Sequence, residues 1–354
     1  MKIWSAPARG PRASISRGVL LTALFAPSEC SQRNIKSGVK PPHSKSLADN
    51  PPTQTGRPSV CRSCGALIGA GETACYMCGA PLQPAAAPQL PLRERYAISY
   101  ARAILARPYI FTIVFLVANF FVFLLMWQES EMSSTALWGA FDPGVLLQFG
   151  AKTNYNIKLE HEYWRFVTPV FIHGNLPHLL MNMYGLWVLG PWVEKLYGSA
   201  RFVVFWVVTG IAGVVASYLT VIPGARPGLF GSFLIKSADE PSVGASGALF
   251  GLIGVLFVFG IKYRRELPEG FKRAFGTGLL PVILLNVAIG FVLRGIIDNA
   301  AHMGGLVAGM ALAAVVDYKR PGQSTRVTIA WRVAQIAALV LVLASFVFVI
   351  KSFR

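Results

Sequence analysis

The chain has 354 residues, 54% of them hydrophobic and only 14% charged, with a formal net charge of +17. That is more apolar and less charged than an average soluble domain, and the long uncharged runs exclude an ordinary water-soluble globule. The positive balance does not call for nucleic acid: the basic residues fall in the N-terminal tail and between apolar runs, where charge sets the orientation of membrane spans.

Residues 1–60 are rich in Ser, Pro, Arg and Gly and poor in aromatics, and are expected to form a disordered N-terminal tail. The apolar run Gly18 to Ala26 admits a targeting reading. Its short apolar core and the poor cleavage site Pro27-Ser28-Glu29 favour a disordered extension or an over-long start instead.

The segment 61–79, CRSCGALIGAGETACYMCG, carries two C-x-x-C pairs: Cys61 and Cys64, then Cys75 and Cys78. Each pair can offer two thiolates from a tight turn, with Gly65 or Gly79 following where the turn needs backbone freedom. Four such sulfurs can close a tetrahedral zinc shell and hold together a unit too small for its own core. The expectation is a zinc ribbon with one structural zinc and no open coordination position, serving structure or a cytoplasmic partner. Two disulfides are the alternative, which a cytoplasmic location disfavours. Cys30 has no assigned role. Residues 80–107, beginning rich in Pro and Ala, read as a linker and juxtamembrane segment.

Seven apolar runs of about the length a bilayer needs follow. They lie at 108–127, 174–193, 202–222, 244–260, 276–293, 300–316 and 329–350. The fourth and sixth are short and glycine-rich, which suits helices in the interior of a bundle. Arg93, Arg95, Arg102 and Arg107 precede the first span. Lys195 and Arg201 separate spans two and three, and Lys262, Arg264, Arg265, Lys272 and Arg273 separate spans four and five. Lys319, Arg320 and Arg326 separate spans six and seven, whereas the first loop carries Glu129, Glu131, Asp142, Glu160 and Glu162. The positive-inside rule puts the N-terminus in the cytoplasm and the C-terminus outside, so spans two, four and six all run inward from the outer face.

Polar groups inside spans are costly and usually functional. Such groups on those three parallel spans converge at one depth, roughly 5–10 Å below the outer boundary at 1.5 Å of rise per residue. His178 and Asn182, four apart, share a face of span two, with Asn175 as a candidate N-cap and Pro177 in the first turn. Ser246 falls in the first turn of span four, and His302 about one turn into span six. Gly244, Gly247 and Gly251 on one helix, and Gly304, Gly305 and Gly309 on the other, let the two approach until Ser246 and His302 touch. A serine hydroxyl is a poor nucleophile until a base such as neutral imidazole accepts its proton. His178, Asn182 and the backbone N–H of Ser246 could then serve a developing oxyanion. Asp298, four before His302, could be a helix N-cap or a surface charge. No HExxH metal motif occurs: His161-Glu162 has no second histidine at helical spacing.

Together these residues resemble the rhomboid family of intramembrane serine proteases, over roughly 108–317. The resemblance rests on Gly244-Ala245-Ser246-Gly247, on His173, His178 and Asn182, on Ala301-His302 with Gly305 and Gly309, and on Trp164-Arg165 in the first loop. It implies an all-α polytopic membrane protein: a rhomboid six-helix core at 108–317 and a seventh C-terminal transmembrane helix within 318–354, the zinc ribbon preceding both. It implies Ser246 as nucleophile and His302 as general base, with His178 and Asn182 lining the oxyanion hole. His173 sits at the outer edge of the site helping to hold water, and Phe250 packs beneath His302. By resemblance the first loop, 128–172, forms a partly embedded hairpin, while the long loop 223–243 reads as an insertion.

The implied activity is a serine endopeptidase cleaving transmembrane segments near the outer face, with no metal in catalysis. The implied partners are transmembrane substrates and the lipid bilayer, in a bacterial plasma membrane. A non-proteolytic rhomboid-like protein that binds membrane clients is the alternative, and a zinc-ribbon scaffold acting mainly in the cytoplasm is a further one.

Overall fold

The computed structural model describes residues 59–61, 63–69, 72–82, 104–267, 269–320 and 322–353. Almost all of the expected N-terminal tail and most of the linker lie outside the described residues. The chain divides into two compact units, residues 1–85 and 86–354.

In the first unit, β1 (Ser59–Val60) and β2 (Leu67–Ile68) pair antiparallel, Val60 opposite Leu67. Each C-x-x-C pair makes the same tight turn. The Gly65 N–H donates to the Cys61 carbonyl and the Cys61 N–H to the Ala66 carbonyl, both at 2.8 Å. Gly79, Cys75 and Ala80 repeat the pattern at the same distance. Gly65 and Gly79 have φ of +77° and +69°, the left-handed conformation that glycine adopts without a Cβ penalty.

In the second unit each of the seven apolar runs forms a helix. They are α1 (Ile110–Glu129), α5 (Leu176–Tyr197), α6 (Ser199–Thr220), α7 (Ser246–Lys262), α9 (Leu280–Val292), α10 (Asn299–Val315) and α11 (Thr325–Ser352). Short helices α2 (Ser134–Trp138), α3 (Pro143–Gln148) and α4 (Asn154–Lys158) lie in the first loop, with two 3-10 turns, Tyr163–Phe166 and Thr168–Phe171. A further short helix, α8 (Glu269–Ala274), precedes the fifth span, whose first turn, Gly276–Leu279, is 3-10. Helices α1, α6 and α11 are long and apolar enough to cross a membrane by length and composition. Helix α7 is too short for that, and its residues from Gly247 through Leu256 are all buried, as expected of a bundle-interior helix.

Helix α5 runs four residues past the span read from hydropathy, ending at Gly198 with φ +83°. The charged residues of that last turn look like loop, but Glu194 is fully buried and caps α1. It accepts from the N–H groups of Phe111 (3.0 Å) and Thr112 (2.8 Å) and from the hydroxyls of Thr112 (2.8 Å) and Ser199 (2.7 Å). A carboxylate on the N–H groups of a neighbouring helix start satisfies orphan donors and the positive end of the dipole together.

Helices α6, α7 and α10 pack backbone to backbone. A Cβ on Gly305 would collide with the Gly247 carbonyl, and one on Gly309 with the Gly251 carbonyl. One on Gly213 of α6 would lie 2.7 Å from the Ala301 carbonyl oxygen. Lipid tails are as apolar as leucine, so such close small-residue contact is what drives helices together in a bilayer.

Candidate active site

Three helix starts converge. Asn175 caps α5, its side-chain oxygen accepting from the His178 N–H at 2.8 Å, with Pro177 in the first turn. Ser246 is the first residue of α7. Helix α10 is capped by Asp298, whose carboxylate accepts from the Ala301 N–H at 3.1 Å. His302 follows on the next residue, so its ring reaches Ser246: Nε2 and Oγ are 2.8 Å apart. Phe250, one turn after Ser246, stacks on the His302 ring at 4.2 Å between centroids and 15° between planes. That contact fixes the ring plane that the hydroxyl requires.

The cap does more than end a helix. Asp298 also accepts from the hydroxyls of Ser217 (2.5 Å) and Ser242 (2.6 Å) and pairs with Lys236 at 3.2 Å. It thereby ties α6, α10 and the loop 223–243 together. That loop is held from the other side by two backbone bonds between Ser242 and Lys152, at 2.9 and 3.0 Å. Two residues on, the Gly244 N–H donates to the Pro169 carbonyl at 2.9 Å. Only the cap itself is legible in the sequence, because the other members of the cluster lie far apart in the chain.

His178 and His173 meet edge to face, with centroids 5.1 Å apart. The Gly174 N–H donates to His178 Nδ1 over a long 3.5 Å, while Nε2 faces Gly244, where a Cβ would come within 2.8 Å of it and 3.7 Å of Ser246 Oγ. His178 and Ser246 therefore border one space, open only because residue 244 is glycine, with φ +125°. Asn182 is buried one turn below, and its amide donates to the His178 carbonyl at 3.1 Å. His173 is fully buried, and neither ring nitrogen has a protein partner among the described residues.

Trp164 and Arg165 make other contacts. Arg165 is buried, pairs with Glu162 at 2.5 Å and donates to the Leu147 and Ala151 carbonyls at 2.8 Å each. Trp164 stacks on Phe348 of α11 at 5.4 Å. The pair organises the first loop and its contact with the seventh helix.

In the first unit the four cysteine sulfurs lie within 4.8 Å of one another, so the cluster could hold a metal ion. Cys61 and Cys78 are 3.7 Å apart and Cys64 and Cys75 3.6 Å. A tetrahedron with bonds of about 2.3 Å has edges of about 3.8 Å, the geometry of a zinc–thiolate shell.

The architecture is that of an integral, all-helical membrane protein with a serine–histidine pair at the start of two interior helices. A rhomboid domain model matches residues 160–319. Rhomboid protease GluP of Bacillus subtilis (strain 168) is 32% identical over 212 residues, covering 60% of this chain and 36% of GluP. RHOMBOID-like protein 5 of Arabidopsis thaliana is 36% identical over 157 residues, 44% of this chain and 45% of that protein. YdcA of Bacillus subtilis (strain 168), named as a candidate rhomboid protease, is 30% identical over 170 residues, 48% of this chain and 75% of YdcA. The chain belongs to the rhomboid family. Its match spans less than half the length of GluP and of RHOMBOID-like protein 5.

Proposed function

We propose that the chain is an intramembrane serine endopeptidase that cleaves transmembrane segments of other proteins near the outer face of a bacterial plasma membrane, its N-terminus in the cytoplasm. The observation that carries this reading is the 2.8 Å contact between Ser246 Oγ and His302 Nε2, with Phe250 stacked on the imidazole.

The chemistry follows from those atoms. His302 Nε2 accepts the Ser246 proton as Oγ attacks the scissile carbonyl carbon, giving a tetrahedral oxyanion. The C–N bond then breaks, His302 returns the proton to the leaving amine, and water hydrolyses the acyl-enzyme by the same route in reverse. The oxyanion forms in the space beside Gly244. The N–H that Gly174 donates to His178 Nδ1 favours the tautomer with its proton on Nε2, which faces that space. His178, the Ser246 backbone N–H and, after its amide turns away from the His178 carbonyl, Asn182 are the proposed donors. His173, whose nitrogens have no protein partner among the described residues, is the proposed holder of the water the second half-reaction consumes. The substrate helix must expose a carbonyl, so a stretch of small or helix-weakening residues near the outer boundary is expected at the cut.

The test is a single-span reporter reconstituted with wild type and with Ser246→Ala. Wild type is expected to cleave it, and the variant to lose at least about a thousandfold in rate. Equal cleavage by both would overturn the assignment.

In the ribbon, Cys61, Cys64, Cys75 and Cys78 are proposed to hold one structural zinc, which would supply folding energy to a unit with almost no core. Elemental analysis of the intact chain checks this, and a chain folded without zinc would refute it.

A further inference from the structure

At the end of the bundle opposite Ser246 lies a cavity of about 140 Å³, where α1 and α11 begin, α5 ends and α6 begins. That is on the order of ten times the space one water needs. Helix α5, one end at His178 and the other at this cavity, has 22 residues, so the two places are roughly 30 Å apart. The cavity is lined by Arg107, Arg201, Lys319 and Arg332, with Glu194 the sole acid among its described lining residues.

Arg107 is engaged by the Lys195, Leu196 and Lys319 carbonyls, but Glu194, a single carboxylate whose oxygens already accept from the α1 start and Ser199, cannot balance Arg201, Lys319 and Arg332 together. Among the described residues, Asp317, which also attracts Arg201 through space, pairs directly with Lys262 (3.0 Å) and Tyr263 (2.5 Å), and Glu266 with Arg320 (3.5 Å) and Tyr318 (2.8 Å). Surface cations of this density would be hydrated, but Arg201 is only 4% exposed. One of its terminal nitrogens donates to the Tyr197 carbonyl at 3.2 Å and its guanidinium lies 5.0 Å over the Trp331 ring, yet its Nε has no partner among the described residues. The hydroxyl of fully buried Tyr197 and the side-chain oxygen of Gln323, both lining residues, likewise have no partner among the described residues. The first turn of α6 presents Ser199, Ala200 and Arg201 to the same space with no side-chain cap. Among the described residues no carboxylate contacts this buried cation, which is costly, and a helix start beside it adds a positive dipole end. The Lys319 amine, outside the spans, is pushed below its ordinary value by burial and by Arg107, Arg332 and Arg201. An anion among them would reverse that.

We propose that this cavity binds a phosphate-class oxyanion, held by Arg201, Lys319 and Arg332 at the start of α6. Its place at one end of the apolar helices, level with the headgroups, gives the phosphate two sources, an anionic lipid or free inorganic phosphate. Bridging α6 to α11, the bound anion would fasten the seventh helix to the core.

The full chain in nanodiscs tests this, read by thermal unfolding and by phosphate retained per chain. Probes are phosphatidylglycerol against phosphatidylcholine, and inorganic phosphate against chloride at equal ionic strength. Arg201→Gln risks misfolding, so the working variant is K319Q/R332Q, altering a half-buried and an exposed side chain. R264Q/R265Q, exposed and in another loop, controls for bulk charge. Expected are a higher unfolding temperature with the anionic probe for wild type and R264Q/R265Q, and affinity at least about tenfold weaker in K319Q/R332Q. Response to inorganic phosphate identifies a free-oxyanion site, and response to phosphatidylglycerol alone a headgroup site. No response to either probe, or equal responses in all three proteins, overturns the proposal. Cleavage is not a readout, so the result stands apart from the fate of the protease reading.

Discussion

Gly244 sits where backbone conformation and chemistry meet. Its φ of +125° is strained for any side chain, and a Cβ there would press on His178 Nε2. Gly305 is different, since it serves packing alone by lying against the Gly247 carbonyl. Gly244→Ala is therefore expected to cost about 1–3 kcal/mol in stability, and cleavage of the reporter should fall at least tenfold, as roughly one oxyanion donor is displaced. Thermal unfolding and initial rates measure the two effects. A variant with near-wild-type cleavage would show that the space beside Gly244 is not where the oxyanion forms. The sequence made both glycines legible as small residues near a serine. It could not separate them, because the separation depends on where His178, sixty-odd residues earlier, ends up.

At the scale of elements, the seven helices were readable from apolar runs, since bilayer thickness imposes a length that composition reveals. Apolar runs do not show where a charge belongs to a cap. The run ends at residue 193, yet α5 continues to Tyr197 and its last turn carries Glu194, the cap of α1. Asp298 was legible as a cap, but its partners Lys236, Ser217 and Ser242 were not. Burial pushes its carboxyl up, but Lys236, the two hydroxyls and the Ala301 N–H outweigh burial and hold it at about 2, against an ordinary 3.8. A depressed carboxyl stabilises the fold above the unfolded value and loses that contribution as pH falls through the folded one. Asp298 should thus contribute about 2 kcal/mol at neutral pH, lost between about pH 4 and pH 2. Asp298→Asn should unfold at lower temperature than wild type at pH 7, the gap closing across that window. A gap independent of pH would mean that charge is not what Asp298 supplies.

Across the whole molecule, the seventh helix acts on the first loop rather than only trailing the core. Three rings on α11 and its end meet three on that loop: Phe348 stacks on Trp164 at 5.4 Å, Phe346 meets Phe171 edge-on at 5.7 Å, and Phe353 meets Phe149 edge-on at 5.2 Å. Phe171 lies two residues before His173, so the brace ends beside the candidate site. Hydropathy showed that a seventh span exists but not which face it turns to the bundle, because the helix is apolar nearly all round and lipid would accept most of that surface. Aromatic pairs are worth about 0.5–1.5 kcal/mol each, so Phe346→Ala/Phe348→Ala should cost about 1–3 kcal/mol in thermal unfolding. Faster hydrogen exchange should be confined to residues 163–172, with cleavage reduced because His173 and the Pro169 carbonyl that holds Gly244 ride on that segment. If exchange there is unchanged while cleavage still falls, α11 acts by some route other than bracing the loop.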